Sequence, residues 1–209
     1  LAAELALSHG GGMNLSGGFH HAYADRAEGF CYLNDVAVAA RQLQQANGVS
    51  KVAIVDCDVH QGNGTAQIFQ GDDTVFTFSM HQRDNYPMIK EKSDLDVELE
   101  NGVGDDEFCE ELSGALERIS TEFVADFVFY LAGVDPYEND QLGGLKLSIE
   151  GMRRRDRLVL EWCRASKTPV AVVLAGGYAV DTDDTVQMHC NTYRELESVI
   201  GGQGGRRPS

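Results

Sequence analysis

Two acids and a histidine that follow two apolar runs offer ligands for a metal ion. The segment Asp56-Cys57-Asp58-Val59-His60 follows an apolar run, and Asp135 follows another. Side-chain direction in an extended chain repeats every two residues, so Asp58 and His60 share a face. Together with Asp135 they offer two carboxylates and one imidazole, a set that suits a divalent ion such as Zn²⁺ with one position left open for water. The competing interpretation is that the acids cap a helix or fix a turn, beside an ordinary loop histidine.

A pair of adjacent histidines could move protons. His20 and His21 follow the glycine-rich turn Gly17-Gly18-Phe19. An imidazole titrates near neutral pH, so such a pair can act as general base and general acid. Asp56 offers a carboxylate that could orient one of the rings. Alone the pair is weak evidence, because histidine pairs also occur without a catalytic role.

A tyrosine after two glycines could stabilise negative charge. In Gly176-Gly177-Tyr178 the glycines allow a sharp turn, and the Tyr178 hydroxyl could then donate a hydrogen bond to a developing oxyanion. An ordinary half-buried tyrosine at a strand end is the competing interpretation. The run Gly10-Gly11-Gly12 lacks the context of a dinucleotide-binding motif, and we predict a loop there.

Short apolar runs alternate with amphipathic stretches, and this pattern predicts an α/β domain with a mostly parallel sheet. The predicted strands are residues 52–55, 75–78, 127–131 and 170–174. The predicted helices are residues 34–46, 105–119, 150–164 and 183–200, with Ser148 as a cap for the third. Residues 1–7 also resemble the inside of a helix, so we expect a segment upstream of Leu1.

Polar residues follow every predicted strand. They are Asp56-Cys57-Asp58-Val59-His60, Ser79-Met80-His81, Gly133-Val134-Asp135 and Gly176-Gly177-Tyr178. Ligands of parallel α/β sheets bind beyond the carboxyl ends of the strands, so one site at one sheet edge is predicted. Residues 83–104 read as a long irregular loop, and residues 201–209 as a mobile tail.

Composition excludes several classes of function. The chain has 209 residues, enough for one sizeable domain, and a net charge of −16. That charge argues against a nucleic-acid groove and a basic membrane-surface face. No apolar run approaches the ~20 residues of a membrane span. The five cysteines form no C-x-x-C pair, which argues against a disulfide framework or a cysteine zinc site and favours the reducing cytoplasm.

Several sequence blocks, taken together, resemble the zinc-dependent histone deacetylase family of the arginase–deacetylase fold. In order they are GGFHHA (17–22), GFCYLND (29–35), DCDVHQGNG (56–64), GVD (133–135), LGGL (142–145) and GGY (176–178). The similarity is greatest to the class IV branch and its bacterial relatives. It implies a three-layer α/β/α catalytic domain over residues 1–200 that lacks the family's N-terminal portion.

The resemblance implies roles for the ionisable residues. Asp58, His60 and Asp135 match the zinc ligands. His20 and His21 match the tandem histidines, with His21 the proton shuttle and Asp56 the partner of His20. The remaining implied roles belong to Asn63 behind His21, the carbonyl-polarising Tyr178, the acyl-tunnel walls Phe30 and Tyr86, and the Gly29 carbonyl as an acceptor for the substrate amide. A structural potassium site is implied around Asp56, Asp58, His60, Ser79 and Met80.

Asn63 stands where many class I members have an aspartate. A neutral amide stabilises an imidazolium less than a carboxylate does, so His21 is expected to be less basic than in those relatives.

The implied reaction is hydrolysis of an acylated lysine peptide or a similar acylated amine. One alternative is a ureohydrolase with two manganese ions, which requires D-x-H-x-D. Here Gln61-Gly62 follows His60 and Pro136-Tyr137 follows Asp135, so two carboxylates of that pattern are missing. Another alternative is a catalytically silent module that keeps only an acyl-binding pocket.

Overall fold

The computed structural model describes residues 1–201, so all but the first residue of the predicted 201–209 tail lies outside the described residues. The helices are α1 (Ala2–His9), α2 (Asp35–Ala46), α3 (Asn63–Ile68), α4 (Asp105–Glu122), α5 (Ile149–Ser166) and α6 (Thr182–Val199). The strands are β1 (Gly11–Asn14), β2 (Val52–Asp56), β3 (Val75–Gln82), β4 (Leu95–Leu99), β5 (Phe127–Leu131) and β6 (Val170–Val173).

The six strands form one parallel sheet in the order β1-β6-β5-β2-β3-β4. This confirms the predicted parallel sheet. From β2 the chain adds β3 and β4 on one side, whereas β5 and β6 lie on the other side. The strand order therefore reverses between β2 and β5, and a crevice opens at such a point beyond the carboxyl ends of the strands.

The sheet is buried on both faces, as its apolar strands predict. On β5, Phe127, Phe129 and Leu131 pack in a cluster with α1 and α2. Val128 and Tyr130 point the other way, into a larger cluster with α4, α5 and α6. The result is a three-layer α/β/α arrangement in which the central strands have little freedom to move.

Side-chain caps fix the start of α2 and α5, and a third cap, Asp181, lies at the start of α6. The Asn34 side chain accepts a hydrogen bond from the Ala37 amide at the start of α2. The Ser148 hydroxyl accepts one from the Gly151 amide at 3.0 Å, which confirms the predicted cap of α5. Each cap satisfies an amide that the helix itself leaves without a partner.

Three expectations about the strands were wrong. Residues 11–14 form strand β1 rather than a loop, because Gly12 lets the edge strand lie directly against the Ala2 carbonyl of α1. Within the expected 83–104 loop, Leu95–Leu99 pairs with β3 as strand β4. Strand β3 continues to Gln82, so Ser79, Met80 and His81 lie within the strand rather than after it. Glycine and acidic residues are poor strand formers, and pairing with a neighbour decides in such segments.

All five cysteines are free thiols, and four of them are buried, whereas Cys190 is exposed. Among residues 1–201, no helix combines the length and apolar character that crossing a membrane requires.

Replacing Gly114 by alanine should stabilise the protein. Gly114 lies inside α4, and an added methyl group would meet nothing within 4 Å. Alanine is the better helix former by about 1 kcal/mol, so the free energy of unfolding in urea should rise by about that amount. Gly102→Ala is the matched control: its surroundings are equally open, but its φ of +84° disfavours a side chain, so stability should fall. Equal effects of the two changes would contradict this account.

Candidate active site

A cavity of about 500 Å³ opens at the carboxyl ends of β2, β5 and β6. Its lining includes most of the residues that the sequence singled out. They are His20, His21, Gly29, Phe30, Asp58, His60, Tyr86, Asp135 and Tyr178. Residues from distant parts of the chain thus meet at the crevice where the strand order reverses.

Asp58, His60 and Asp135 form one compact group. Their potential ligand atoms all lie within 4.8 Å of one another. His60 Nδ1 is 3.2 Å from Asp58 Oδ1 and 3.2 Å from Asp135 Oδ2. All three residues are buried. Asp58 and His60 leave β2, and Asp135 leaves β5, so adjacent strands hold the group in place.

Backbone groups hold both carboxylates in their orientations. Asp58 Oδ2 accepts a hydrogen bond from the Gly176 amide at 2.8 Å, and Asp135 Oδ1 accepts one from the Val59 amide at 2.9 Å. The second oxygen of Asp135, Oδ2, is buried, and apart from its 3.2 Å contact with His60 Nδ1 it has no hydrogen-bond partner among the described residues. A methyl group on Gly176 would collide with this oxygen and approach Asp58 Oδ2. The space beside Gly176 therefore faces the buried oxygen Asp135 Oδ2. The ligand atoms of Asp58, His60 and Asp135 fit a divalent cation such as Zn²⁺.

The charges in this group are strongly coupled. Burial and the nearby Asp58 charge raise the pKa of Asp135 to about 7. Burial opposes the charged form of His60, but hydrogen bonds with Asp135 and Asp58 raise its pKa to about 10. Buried carboxylates this close repel each other and must share a positive charge. A metal cation held by the group would supply that charge.

The tandem histidines each have a fixed partner. His20 Nδ1 lies 2.6 Å from Asp56 Oδ2, and His21 Nδ1 lies 2.7 Å from Asn63 Oδ1. An amide oxygen can only accept, so His21 Nδ1 carries the proton of this hydrogen bond. The other ring nitrogen of a neutral His21, Nε2, is then left as a proton acceptor.

The two rings differ in their charge at neutral pH. Burial and the adjacent His20 lower the pKa of His21 to about 3, so His21 is neutral. Burial also opposes the charged form of His20, but the carboxylates of Asp56 and Asp58 outweigh it and raise the pKa of His20 to about 9. The ring centroids are 4.0 Å apart, which places a neutral ring beside a charged one.

Sequence reasoning missed Glu28, which links Asn63 to Tyr86, a residue that lines the cavity. Tyr86 donates a hydrogen bond from its hydroxyl to Glu28 Oε1 at 2.8 Å. Asn63 Nδ2 lies 3.5 Å from the same oxygen and donates to the Tyr23 hydroxyl at 3.1 Å. The Tyr86 ring packs edge-on against His21, with centroids 4.9 Å apart. Glu28 thus holds Tyr86 close to Asn63, the hydrogen-bond partner of His21.

Tyr178 lies at the mouth of the cavity and is 37% exposed. Burial of part of the ring, with the charges of Asp135 and Asp58, raises its pKa to about 12, so the hydroxyl keeps its proton. The Tyr178 amide donates to Asp140 Oδ2, and Asp140 Oδ1 also accepts from the Leu142 amide. No sequence pattern pointed to Asp140, because its role depends on a turn that forms only in the fold.

Backbone geometry fixes the remaining predicted residues. Gly29 has a φ of +53°, and any side chain there would strike the His21 ring. Its carbonyl accepts a hydrogen bond from the Cys31 thiol at 3.3 Å. The next residue, Phe30, is 81% exposed beside the cavity. Asp35, which the sequence reasoning also missed, accepts from the Gly18 and Phe19 amides and so holds the loop before His20.

The residues predicted to surround potassium lie close to the site. Ser79 pairs with Asp56 across β3 and β2, and its hydroxyl contacts His81 Nδ1 at 3.0 Å. Met80 follows on the same strand and is fully buried. None of these contacts requires an ion, and the potassium site stays a prediction.

Comparison with known proteins agrees with this geometry. The model of the histone deacetylase domain matches residues 2–193. The chain belongs to this family. It is 36% identical to histone deacetylase 2 of Arabidopsis thaliana over 181 residues, which cover 85% of this chain and 47% of the relative. An uncharacterized protein of Picosynechococcus sp. is 48% identical over 199 residues, which cover 95% of this chain and 66% of that protein.

The fold agrees as well. The crystal structure of a histone deacetylase homologue from Aquifex aeolicus superposes with a TM-score of 0.80 at 25% identity, over 93% of this chain and 55% of that one. The chain therefore spans between about half and two thirds of the length of these relatives. These matches confirm the family and the fold, whereas the class IV branch stays a prediction.

Replacing Gly176 by alanine should weaken binding of a divalent cation. The new methyl group would occupy the space between Asp135 Oδ2 and Asp58 Oδ2 and push the carboxylates apart. Perturbing the immediate surroundings of a metal site costs about 10–100-fold in affinity, and we expect a loss of that size in Zn²⁺ titrations. Gly114→Ala serves as the control and should bind like the unchanged protein. Wild-type affinity in Gly176→Ala would refute the assignment of this space.

Proposed function

We propose that this protein is a zinc-dependent hydrolase that removes an acyl group from an Nε-acyl-lysine or a similar acylated amine. One observation carries the proposal: the buried triad of Asp58, His60 and Asp135 shares a cavity with a neutral, amide-bonded His21 and a protonated Tyr178. Membership of the histone deacetylase family supports the same reaction class. Zinc, held by this triad, would supply a Lewis acid that polarises the amide carbonyl and acidifies water.

His21 is the proton carrier in the proposed reaction. Its Nε2 accepts a proton from water as the water oxygen attacks the amide carbonyl carbon. Asn63 keeps Nδ1 protonated, so Nε2 stays free to accept. His21 then returns this proton to the amide nitrogen as the carbon–nitrogen bond breaks. The products are a carboxylic acid and a free amine.

Tyr178 and His20 stabilise charge in this scheme. The Tyr178 hydroxyl donates a hydrogen bond to the oxyanion that forms on the carbonyl oxygen. Asp140 holds the Tyr178 backbone, so the hydroxyl approaches from a fixed direction. His20, oriented by Asp56, keeps a positive charge beside His21. Phe30 and Tyr86 would flank the acyl-lysine chain, and the Gly29 carbonyl would accept from its amide.

Tyr178→Phe should lower turnover by about 10²–10³-fold, the usual effect of removing one oxyanion donor. Zinc content should not change, because Tyr178 is outside the triad. Steady-state rates and elemental analysis of the purified variant test both expectations. An undiminished rate would remove Tyr178 from the mechanism.

Chelation should abolish hydrolysis, and one equivalent of Zn²⁺ should restore it. The experiment offers the purified chain a panel of fluorogenic lysine substrates with acyl groups from acetyl to myristoyl, before and after metal removal. His60→Ala serves as a variant that lacks one proposed ligand and should stay inactive after zinc is added. Hydrolysis by fully metal-free protein would refute the proposal.

Two metal ions per chain would favour the ureohydrolase alternative, and a zinc-bearing chain without activity would favour the catalytically silent module.

A further inference from the structure

Arg155 is a fully buried arginine on α5 that the proposed mechanism does not use. The arginines around it on the helix behave differently: Arg154 is partly exposed and pairs with Asp106, and Arg153 reaches Glu150 and Glu195. A guanidinium stays charged in proteins and has five N–H donors to satisfy. Burying one is costly, so its partners deserve a physical explanation.

Its partners are the two loops that carry the metal-ligand triad. Arg155 Nη1 donates to the Gly133 carbonyl at 2.5 Å and approaches the Cys57 carbonyl at 3.4 Å. Cys57 directly precedes Asp58, and Gly133 lies two residues before Asp135. One guanidinium nitrogen thus bridges the backbone of both loops from the side of the sheet that packs against α5.

The Arg155 contacts lie just beyond the last backbone hydrogen bond between the β2 and β5 ends. The Cys57 amide donates to the Leu131 carbonyl at 3.2 Å, and beyond it no backbone hydrogen bond joins these two loops within residues 1–201. Past this point the two loops are joined through side chains, such as the hydrogen bond from the Val59 amide to Asp135 Oδ1. The Arg155 contacts extend the connection past the last sheet hydrogen bond, up to the ligand-bearing residues.

A buried acid fixes the direction of the guanidinium. Arg155 Nε and Nη2 both donate to Asp156 Oδ1, at 2.9 and 2.7 Å. Asp156 is held in turn by the Tyr130 hydroxyl on β5 and the Thr192 hydroxyl on α6, each at 2.6 Å. Because Nε and Nη2 of the guanidinium are bound to Asp156, Nη1 faces the carbonyls of Cys57 and Gly133.

We infer that Arg155 is a positioning residue that sets the separation of Asp58 and Asp135 and thereby the metal affinity of the site. The inference rests on the metal centre of the proposed function. Buried ion pairs contribute little to net stability on average, because desolvation offsets their attraction. The pairing of Arg155 with both ligand loops gives this costly group a geometric role.

Arg155→Lys tests the inference, since lysine keeps the charge but lacks the planar fork that can hold Asp156 and the carbonyls together. Asp156→Asn is measured beside it, so that the anchoring of the guanidinium is tested even where the lysine variant does not fold. Val159→Ala is the stability control, because Val159 is equally buried one turn further along α5. Arg154→Lys controls for the same substitution at an exposed position.

Two measurements separate positioning from general destabilisation. The first is the Zn²⁺ dissociation constant of the folded full chain, from competition with a chelating dye. It should rise about 10–100-fold in Arg155→Lys and Asp156→Asn, as for other residues behind metal ligands, and stay within about twofold in both controls. The second is amide hydrogen exchange in the metal-free protein, which should accelerate at residues 58–60 and 133–135 only in the first two variants.

Wild-type zinc affinity and unchanged exchange in Arg155→Lys and Asp156→Asn would overturn the inference. A parallel loss of zinc affinity in Val159→Ala would also overturn it, because stability alone would then explain the effect. If the unchanged protein binds no zinc, the exchange measurement decides. If the affinity changes as expected but no acyl-lysine is hydrolysed, the proposed function fails and the inference on Arg155 stands.

Discussion

Two buried carboxylates and a buried imidazole lie within 4.8 Å of one another, and this concentration of charge governs the surrounding structure. Such groups lose their hydration on folding, and the carboxylates repel each other. The fold compensates with backbone amides: those of Gly176 and His60 donate to Asp58, and that of Val59 donates to Asp135 Oδ1. Asp135 Oδ2 and Asp58 Oδ2 both face the small space beside Gly176, which a cation would fill.

The parallel sheet holds these buried charged groups in place. Strands β2 and β5 are neighbours that are buried on both faces, so their ends form a rigid base. Side chains then complete what the sheet leaves open. Asp35 holds the loop before the tandem histidines, and Asp140 holds the turn that carries Tyr178. The segments that carry the reactive groups are therefore held by side-chain hydrogen bonds as well as by the strand ends.

The tandem histidines show how a partner selects a protonation state. His20 faces a carboxylate and is charged, whereas His21 faces an amide and is neutral. Two identical side chains that are adjacent in sequence therefore acquire different chemistry. The difference arises from Asp56 and Asn63, which come from the end of β2 and the start of α3.

Much of the framework was predictable because apolar runs and helical periodicity are local properties. Four of the six strands, the cap at Ser148 and the family motifs are of this kind. Strands β1 and β4 were not predictable, since they are short edge strands whose composition disfavours strand formation. The partner of β1, strand β6, is also distant in sequence.

The residues that could carry the chemistry were identifiable from local sequence, because Asp58, His60, Asp135 and Tyr178 follow strands that had to end at one edge. How those residues are held became apparent only from the folded chain. The contacts of Arg155, and those of the other acids that fix the site, join segments tens of residues apart. Such pairings depend on how helices pack on the sheet, and no local pattern in a single sequence encodes that packing.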